Sequence, residues 1–359
     1  MEQFESALGM LDLMTQPAFC VRGGKIIKVN PAAAAFLIET GTDIHTLLHT
    51  GAEEYAQFQS GCLYLTLSLA GQRLGASVSR IQDFDVFSID TEDTDARLQA
   101  LALAARELRT PLANIMAVAD KFLPEAAAAS SGMQEQASTI NRGLLQLLRI
   151  IGNMADANRY AADTGTRQEV RDVCAVLEEI FSQVAALAEH TGVKLSYTGC
   201  EKSIYTLLDI QKLERMVFNL ISNAIKFTPA GGTIDAKLTC RGRKLYLSVC
   251  DNGGGIPVNL ERSLFTRYSR EPALEDSRQG LGLGMVLIRS TAALHGGTVL
   301  VDHPEKVGTR VTVSLSIRQA DATLRSPHFQ IDYAGERDHG LIELSDVLPT
   351  GLYDPDMIN

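Results

Sequence analysis

The chain has 359 residues, of which 45% are hydrophobic and 21% are charged, and its formal net charge is −10. This length and composition predict two or three compact units that each bury a core, and they exclude a largely disordered chain. The negative charge, with no run rich in Lys and Arg to offset it, argues against a nonspecific nucleic-acid binder.

The beginning of the chain, M-E-Q-F-E-S, lacks a basic segment followed by an apolar core. The longest apolar run, Cys62 to Ala70, is interrupted by Thr66 and Ser68. We therefore expect neither a signal peptide nor a membrane span, and a cytoplasmic location. The six cysteines form no C-x-x-C pair, which favours reduced thiols over a disulfide framework or a zinc site.

Residues 1–90 predict a small α+β unit within an α+β multidomain chain. Lys25 to Val29 is typical of a strand, and Asn30 with Pro31 is typical of a helix start. Three later runs predict an antiparallel meander: Cys62 to Leu69, Arg73 to Ile81 and Phe84 to Ile89. This layout resembles a reduced PAS-type sensor domain, and an unrelated α+β fold accounts for it equally well.

Residues 91–163 predict two long helices whose apolar residues recur at alternating spacings of three and four. The first helix carries Leu98, Leu101, Ala105, Leu108, Leu112, Ile115, Ala119 and Phe122, and the second carries Ala137, Ile140, Leu144, Leu147, Ile151 and Met154. A capping box of Ser131 and Gln134 is expected to start the second helix, after a loop from Pro124 to Gly132. Because one antiparallel hairpin leaves part of its seam exposed, we expect a homodimer with a four-helix bundle.

Residues 167–318 alternate between helical and strand patterns and predict an α/β sandwich. The expected helices are Val170 to Glu189, Asp209 to Lys226 and Leu283 to Leu294, and the expected strands are Val193 to Tyr197, Thr233 to Cys240, Leu245 to Cys250, Thr298 to Val301 and Arg310 to Ile317. Residues 319–359 form an acidic tail, in which Gly340 to Leu348 indicates one more strand.

One segment of the sandwich, N-L-I-S-N-A-I-K-F-T at 219–228, places Asn219 and Asn223 on one helix face, with Lys226 nearby. Amide oxygens can complete a Mg²⁺ shell made of phosphate oxygens and water, while an ammonium offsets phosphate charge. Taken alone, the segment could equally be the polar edge of a buried helix.

Two glycine-containing motifs follow along the chain. In D-N-G-G-G-I-P at 251–257, Asp251 can accept from an exocyclic amine, while Gly253 and Gly255 let the backbone approach a flat base. In G-L-G-L-G-M at 280–285, backbone N–H groups at a helix start can face phosphates. The residues concerned are Gly280, Gly282, Leu283 and Gly284.

These motifs, with L-H-G-G at 294–297, resemble those of two-component sensor histidine kinases over residues 95 to 317. The resemblance implies ATP and Mg²⁺ as cofactors, with Asn223 as the principal Mg²⁺ ligand and Asn219 as its helper. It also implies a phosphate contact for Lys226 and adenine recognition for Asp251. In a mobile lid, L-F-T-R-Y-S-R at 264–270, Phe265 is expected to be the anchor, and Arg267 or Arg270 to reach the phosphates.

The segment A-R-E-L-R-T-P-L at 105–112 resembles the phosphoacceptor motif of that family, with Arg106 where the reactive histidine belongs. An arginine stays protonated and offers only donors, so it cannot attack the γ-phosphorus of ATP. Because no histidine lies in the hairpin, we expect no autophosphorylation on histidine. Glu107 and Thr110 still fit the family's E-x-x-T pattern for removing phosphate from a response regulator, or are ordinary surface residues.

Three functions follow from these motifs. The first is an ATP-binding regulator or response-regulator phosphatase without its own phosphoacceptor. The second is a kinase that phosphorylates a histidine of another protein in trans, and the third is a scaffold with a vestigial ATP site. The expected partners are a second copy of the chain and a response regulator or a partner histidine kinase.

Overall fold

The structure, a computed structural model, describes residues 9, 11–12, 14–90, 93–161, 168–256, 264–265, 283–304, 307–318 and 338–355. Within these ranges an N-terminal α+β unit, a long helical hairpin and a C-terminal α/β unit follow one another along the chain. No helix in these ranges combines the length and apolar character needed to cross a bilayer.

The N-terminal unit is an antiparallel sheet in the order β2-β1-β5-β4-β3, accompanied by a short helix. Its elements are β1 (Ala18–Arg22), β2 (Lys25–Val29), α1 (Ala52–Gln57), β3 (Cys62–Leu69), β4 (Gln72–Ile81) and β5 (Phe84–Ile89). The predicted meander of three strands is confirmed. Asn30 caps a single 3₁₀ segment, Pro31–Phe36, in place of an α-helix, and its Oδ1 accepts from Ala33 N at 2.9 Å.

The hairpin consists of two long helices, α2 (Asp93–Ala129) and α3 (Ser131–Ala161). The predicted loop from Pro124 to Gly132 is wrong, because α2 continues through Pro124 and only Ser130 separates the helices. The alanines that follow Pro124 have the highest helix propensity and extend the helix past it. The capping hydroxyl also belongs to Ser130 instead of Ser131, and it accepts from Met133 N at 3.3 Å.

The C-terminal unit places helices against a sheet in the order β11-β12-β10-β9-β7. Its elements are β6 (Glu169–Asp172), α4 (Val173–Ala188), β7 (Lys194–Thr198), β8 (Tyr205–Leu208), α5 (Ile210–Phe227), β9 (Thr233–Arg241), β10 (Lys244–Asp251), α6 (Leu283–Leu294), β11 (Val299–Asp302) and β12 (Arg310–Ser316). The expected helix start at Val170 is wrong. Residues Glu169–Asp172 pair with β8, and Asp172 then caps α4 by accepting from Cys174 N at 3.1 Å.

The sheets of the two units are continuous. Strand β3 of the N-terminal unit pairs antiparallel with β11, with Tyr64 opposite Val299 and Cys62 opposite Val301. The result is one ten-stranded sheet, in which the pairing of β3 with β11 leaves neither strand as an exposed edge. The sequence did not predict this pairing.

Residues 338–355, named here the C-terminal segment, pack against the hairpin and the C-terminal unit. The expected strand from Gly340 to Leu348 is wrong, because these residues begin with the short helix α7 (His339–Glu343). Asp338 accepts from Leu341 N at 3.1 Å and so caps that helix. The acidic tail predicted for 319–359 therefore contains a docked portion.

Candidate functional site

The two asparagines of α5 lie beside the start of α6. Asn219 is 2% exposed, and its Nδ2 donates to Arg215 O at 2.8 Å, which fixes the orientation of the amide. A Cβ atom at Gly284 would lie 3.1 Å from Asn219 Oδ1 and 3.8 Å from Asn223 Nδ2. Residues that the sequence placed in separate motifs are thus neighbours, and Lys226 is half-buried one turn further along α5.

Asp251 ends β10 and is 8% exposed. Its Oδ1 accepts from two backbone donors, Gly253 N at 2.9 Å and Thr309 N at 3.3 Å. Burial raises the pKa of this carboxyl above its ordinary value, and the two N–H groups partly oppose that rise. The donors hold the carboxylate in one orientation, with Oδ1 occupied inside the fold.

Close backbone contacts join the end of α5, the end of β10 and the turn before β12. A Cβ atom at Gly253 would lie 2.2 Å from Phe227 O. At Gly308, where φ is +137°, a Cβ atom would lie 1.9 Å from Asp251 O. Gly255 also has a positive φ, +74°, which suits glycine. These contacts set the position of Asp251 relative to the asparagine helix.

Phe265, the predicted lid anchor, is 2% exposed and contacts the N-terminal unit. Its ring centroid lies 5.5 Å from that of Tyr64, and its carbonyl accepts from Arg289 Nη1 at 2.9 Å. Arg289 also pairs with Asp90 at 2.9 Å. The predicted sites Arg270, Gly280 and Gly282 lie outside the described residues, whereas Leu283 begins α6 and is 3% exposed.

The segment A-R-E-L-R-T-P-L at 105–112 of α2 exposes its polar side chains to solvent. Arg106, Glu107 and Thr110 are all exposed, whereas Ala105 and Leu112 of the same motif are buried against the hairpin core. The three side chains therefore point away from the buried core of the hairpin. The three side chains are accessible to a protein that docks on this face.

His295, from the L-H-G-G segment, connects α6 to the beginning of α5. Its Nε2 accepts from Asp209 N at 3.1 Å, so its Nδ1 carries the proton that Thr291 O accepts at 2.8 Å. Burial lowers the pKa of this imidazole below its ordinary value. The neutral ring therefore holds the two helices that carry Asn219 and Gly284.

A buried ionic cluster was missed by sequence reasoning. Glu343 of α7 is fully buried, with Arg215 Nε at 3.2 Å and Arg149 Nε at 3.6 Å. A signal was present in the sequence, because a glutamate inside the apolar run L-I-E-L at 341–344 requires a partner if it is buried. Its partners could not be identified, since they lie in two distant helices.

Comparison with known proteins identifies relatives of this chain. Residues 208–319 match the family model of the histidine kinase-, DNA gyrase B-, and HSP90-like ATPase. The chain is 31% identical over 229 residues to the sensor protein kinase PmrB of Pseudomonas aeruginosa, an alignment that covers 61% of the chain and 46% of PmrB. It is 32% identical over 251 residues to the histidine protein kinase DivJ of Caulobacter vibrioides, covering 68% and 41%. The chain thus spans less than half the length of these two relatives.

A solved structure shows the same fold. The crystal structure of full-length ShkA in complex with AMPPNP aligns with a TM-score of 0.51 at 22% identity, covering 63% of this chain and 47% of ShkA. Residues 208–319 therefore form a histidine-kinase-like ATPase domain, and the chain that contains it is homologous to sensor histidine kinases over about two thirds of its length.

Proposed function

We propose that this protein binds ATP with Mg²⁺ and acts in two-component signalling without phosphorylating itself on histidine. The observation that carries the proposal is Arg106, exposed on α2, in a chain whose Asn219, Asn223 and Asp251 lie in a histidine-kinase-like ATPase domain. A guanidinium has no lone pair with which to attack the γ-phosphorus of ATP. ATP binding is thereby separated from phosphate storage.

The residues of the ATPase domain fit an adenine nucleotide. Since two backbone N–H groups occupy Asp251 Oδ1, its Oδ2 is left to accept from the exocyclic amine of adenine. Asn223 and Asn219 would hold Mg²⁺ through their amide oxygens, with Asn223 as the principal ligand and Lys226 near the phosphates. When bound, Mg²⁺ neutralises phosphate charge.

Glu107 and Thr110 support action on a phosphorylated response regulator. Both are exposed beside Arg106, so an aspartyl phosphate can approach them on a docked receiver domain. The hydroxyl of Thr110 would position a water molecule for attack on phosphorus, and Glu107 would accept a hydrogen bond from that water. The P–O bond to aspartate breaks, and inorganic phosphate leaves. Arg106 would attract the phosphate as a fixed cation.

The hairpin supports assembly as a homodimer. Leu108, Ile115 and Phe122 of α2 follow one another at heptad spacing and are 48%, 55% and 60% exposed. Ile140 and Leu147 of α3 are 52% and 49% exposed with the same spacing. A second hairpin would cover these residues in a four-helix bundle.

A kinase that acts in trans is the second candidate. The arrangement of Asn219, Gly284 and Asp251 does not involve Arg106, so the ATPase domain could serve a histidine of a partner kinase. Incubation with a family kinase whose own ATP site is disabled separates the two functions. Labelled phosphate on that partner would favour the kinase, and its absence favours the regulator.

Calorimetric titration with ATP and Mg²⁺ tests nucleotide binding. Wild-type protein is expected to bind, and Asn223→Ala to weaken binding at least about tenfold because an amide ligand is lost. Gln211→Ala, an exposed substitution on the same helix, is the matched control. Absence of binding by the wild type would leave a scaffold with a vestigial site.

Release of phosphate from receiver domains tests the phosphatase. A panel of the host's receiver domains, phosphorylated with acetyl phosphate, would be mixed with the protein. Wild type is expected to accelerate loss of phosphate from one of them, and Thr110→Ala to slow that loss at least about tenfold, as expected when a group that orients water is removed. Equal rates for the two proteins would rule out the role of Thr110.

A further inference from the structure

We propose that the C-terminal segment is a strap that fixes the ATPase domain to helix α3 of the hairpin, so that the two parts rearrange only after it detaches. The inference concerns domain orientation and goes beyond the proposed function. It does not depend on whether ATP is bound or turned over.

Side chains of helix α3 bind the strap mainly through the backbone carbonyls of the strap. Arg142 donates from Nε to Ser345 O at 3.0 Å, from Nη1 to Thr350 Oγ1 at 3.1 Å and from Nη2 to Asp346 O at 3.3 Å. Gln146 Nε2 donates to Ser345 O as well, at 3.0 Å. One arginine thus binds three groups of the segment, and two of them are carbonyls whose position depends on the folded form of the segment.

The contact continues along α3 from Arg142 toward the beginning of that helix. Asn141 Nδ2 donates to Tyr353 O at 3.0 Å, and Gln134 donates to the Asp354 carboxylate. The segment therefore lies against α3 from the first turn of that helix to its middle.

A buried carboxylate connects the strap to both parts at one point. Glu343 is fully buried and pairs with Arg149 of α3 at 3.6 Å and with Arg215 of α5 at 3.2 Å. Asp346 pairs with Arg149 at 2.5 Å, and Asp156 of α3 pairs with Arg215. Detachment of the strap is costly, because it would remove Glu343 and Asp346 from Arg149 in a medium of low dielectric constant. Arg215, in contrast, would keep Asp156.

The cluster reaches the helix that carries the nucleotide asparagines. Arg215 O accepts from Asn219 Nδ2 at 2.8 Å, and Arg149 Nη2 donates to Ser222 Oγ at 3.1 Å. Ser222 immediately precedes Asn223 in α5. The strap and its arginine partners therefore contact α5 beside these asparagines.

Apolar burial adds to the ionic contacts. Ile342, Leu344, Leu348 and Tyr353 are all fully buried. Gly340 packs so closely on α4 that a Cβ atom there would lie 2.6 Å from Leu187 Cδ1. Detachment would expose this apolar surface together with the charges, so docking and release form two distinct states.

The test weakens the strap from the side of α3 in the whole 359-residue chain. Arg142→Ala combined with Gln146→Ala removes four hydrogen bonds and leaves the Glu343 cluster paired. A second variant, Glu343→Gln, weakens the strap from within. Arg171→Ala is the matched control, because that arginine pairs with Glu169 on β6.

Hydrogen exchange and small-angle X-ray scattering, both without nucleotide, give the result. In both strap variants the amides of Leu344 and Leu348 are expected to exchange at least about tenfold faster than in wild type and control. The largest dimension of the particle should increase at the same time. Wild-type exchange in both variants would overturn the proposal, and so would faster exchange with unchanged scattering. Failure to bind ATP would affect neither measurement.

Discussion

Burial and hydrogen bonding fix the position of Asp251, the residue that we propose recognises adenine. Its carboxyl lies in the fold at the end of β10, with Oδ1 bound to two backbone N–H groups. Burial raises its pKa, so protonation begins at a higher pH than for an ordinary aspartate, about 3.9. The deprotonated carboxylate is the stronger acceptor for the exocyclic amine of adenine, which we propose that Oδ2 binds.

Adenine nucleotide affinity is therefore expected to fall as the pH is lowered through the raised pKa of Asp251. The contribution of Asp251 to the free energy of unfolding depends on pH in the opposite direction. The raised pKa means that the folded state favours the protonated carboxyl, so this contribution decreases as the pH rises. Calorimetric titration with ATP between pH 7 and 4.5 gives the affinity, and circular dichroism confirms folding. Asp251→Asn should bind more weakly with a smaller pH dependence. Equal pH dependence in both proteins would contradict the role of Asp251.

Gly253 is expected to tolerate no side chain, since a Cβ atom would lie 2.2 Å from Phe227 O. Gly253→Ala should lower the free energy of unfolding by about 1–3 kcal/mol, as overpacking does, and should weaken ATP binding by displacing Asp251. Gly254→Ala is the matched control, because its Cβ atom would meet no atom within 4 Å. Chemical denaturation measures the free energy of unfolding of both variants, and calorimetric titration measures their ATP binding. Equal stability of the two variants would contradict this account.

The sequence patterns assigned the candidate nucleotide residues to particular elements, because each motif combines a residue type with the turn or helix that it needs. The spacing of Asn219 and Asn223 puts both on one helix, and the glycines around Asp251 indicate close backbone contact. It could not predict the pairing of Arg149, Arg215 and Glu343. Such a cluster depends on tertiary contacts among three elements, and no local pattern records them.

At the scale of elements, helices α5 and α6 keep their relative position through His295. The neutral ring accepts on Nε2 from the backbone N–H of Asp209, the N-cap of α5, and donates from Nδ1 to Thr291 O in α6. Burial lowers the imidazole pKa, so the folded state disfavours the proton that the unfolded state accepts near pH 6.5.

The contribution of His295 to the free energy of unfolding is therefore expected to be fully present above about pH 6.5. It should decrease as the pH falls from that value to the lowered pKa of His295. The slope attributable to one histidine is at most about 1.4 kcal/mol per pH unit. Urea denaturation at pH 7.5, 6.5 and 5.5 measures it for wild type and for His295→Gln. The variant should be less stable at pH 7.5 and show a shallower slope. An unchanged slope would mean that other groups cause the pH dependence.

The ends of some elements were predicted well, whereas the junction of the two hairpin helices and the shortest strands were not. The ends of α6 and of β3 and β5 agree with the sequence patterns, because their apolar periodicity extends over many residues. Strands β6 and β8 have four residues each, too few for a periodic signal. In the C-terminal segment, Ile342 and Leu344 alternate as in a strand, but the Asp338 cap and docking on α3 favour a helix.

At the scale of the whole molecule, apolar residues divide the hairpin into two faces. Leu112, Leu144 and Ile151 are buried within the chain, whereas Ile115 and Ile140 are more than half exposed. The predicted seam is therefore partly filled by one hairpin alone. The remaining face is the one that we expect a second copy to cover.

Ile115→Asp combined with Ile140→Asp is expected to convert a dimer into a monomer. Charges on the exposed face would have to be buried without partners in a four-helix bundle. Light scattering coupled to size-exclusion chromatography measures the mass. Leu37→Asp is the control, since Leu37 is 81% exposed on the N-terminal unit. A wild-type monomer, or a variant that remains dimeric, would contradict the expected bundle.

Organisation above the single unit was predicted only in part. The alternating patterns indicated an N-terminal α+β unit, a hairpin and an α/β unit, and the structure contains elements of each. The pairing of β3 with β11 could not be foreseen, because edge strands join through backbone groups that every residue has. The docking of the C-terminal segment likewise required knowledge of both surfaces.

The central claim is that the protein keeps an ATP site and lacks only the group that would store the phosphate. Incubating the wild type and Arg106→His with γ-labelled ATP and Mg²⁺ tests it most directly. We predict that only the variant acquires acid-labile, base-stable phosphate on the hairpin, since an exposed imidazole then lies beside Glu107. Such phosphate on the wild-type hairpin would contradict the account.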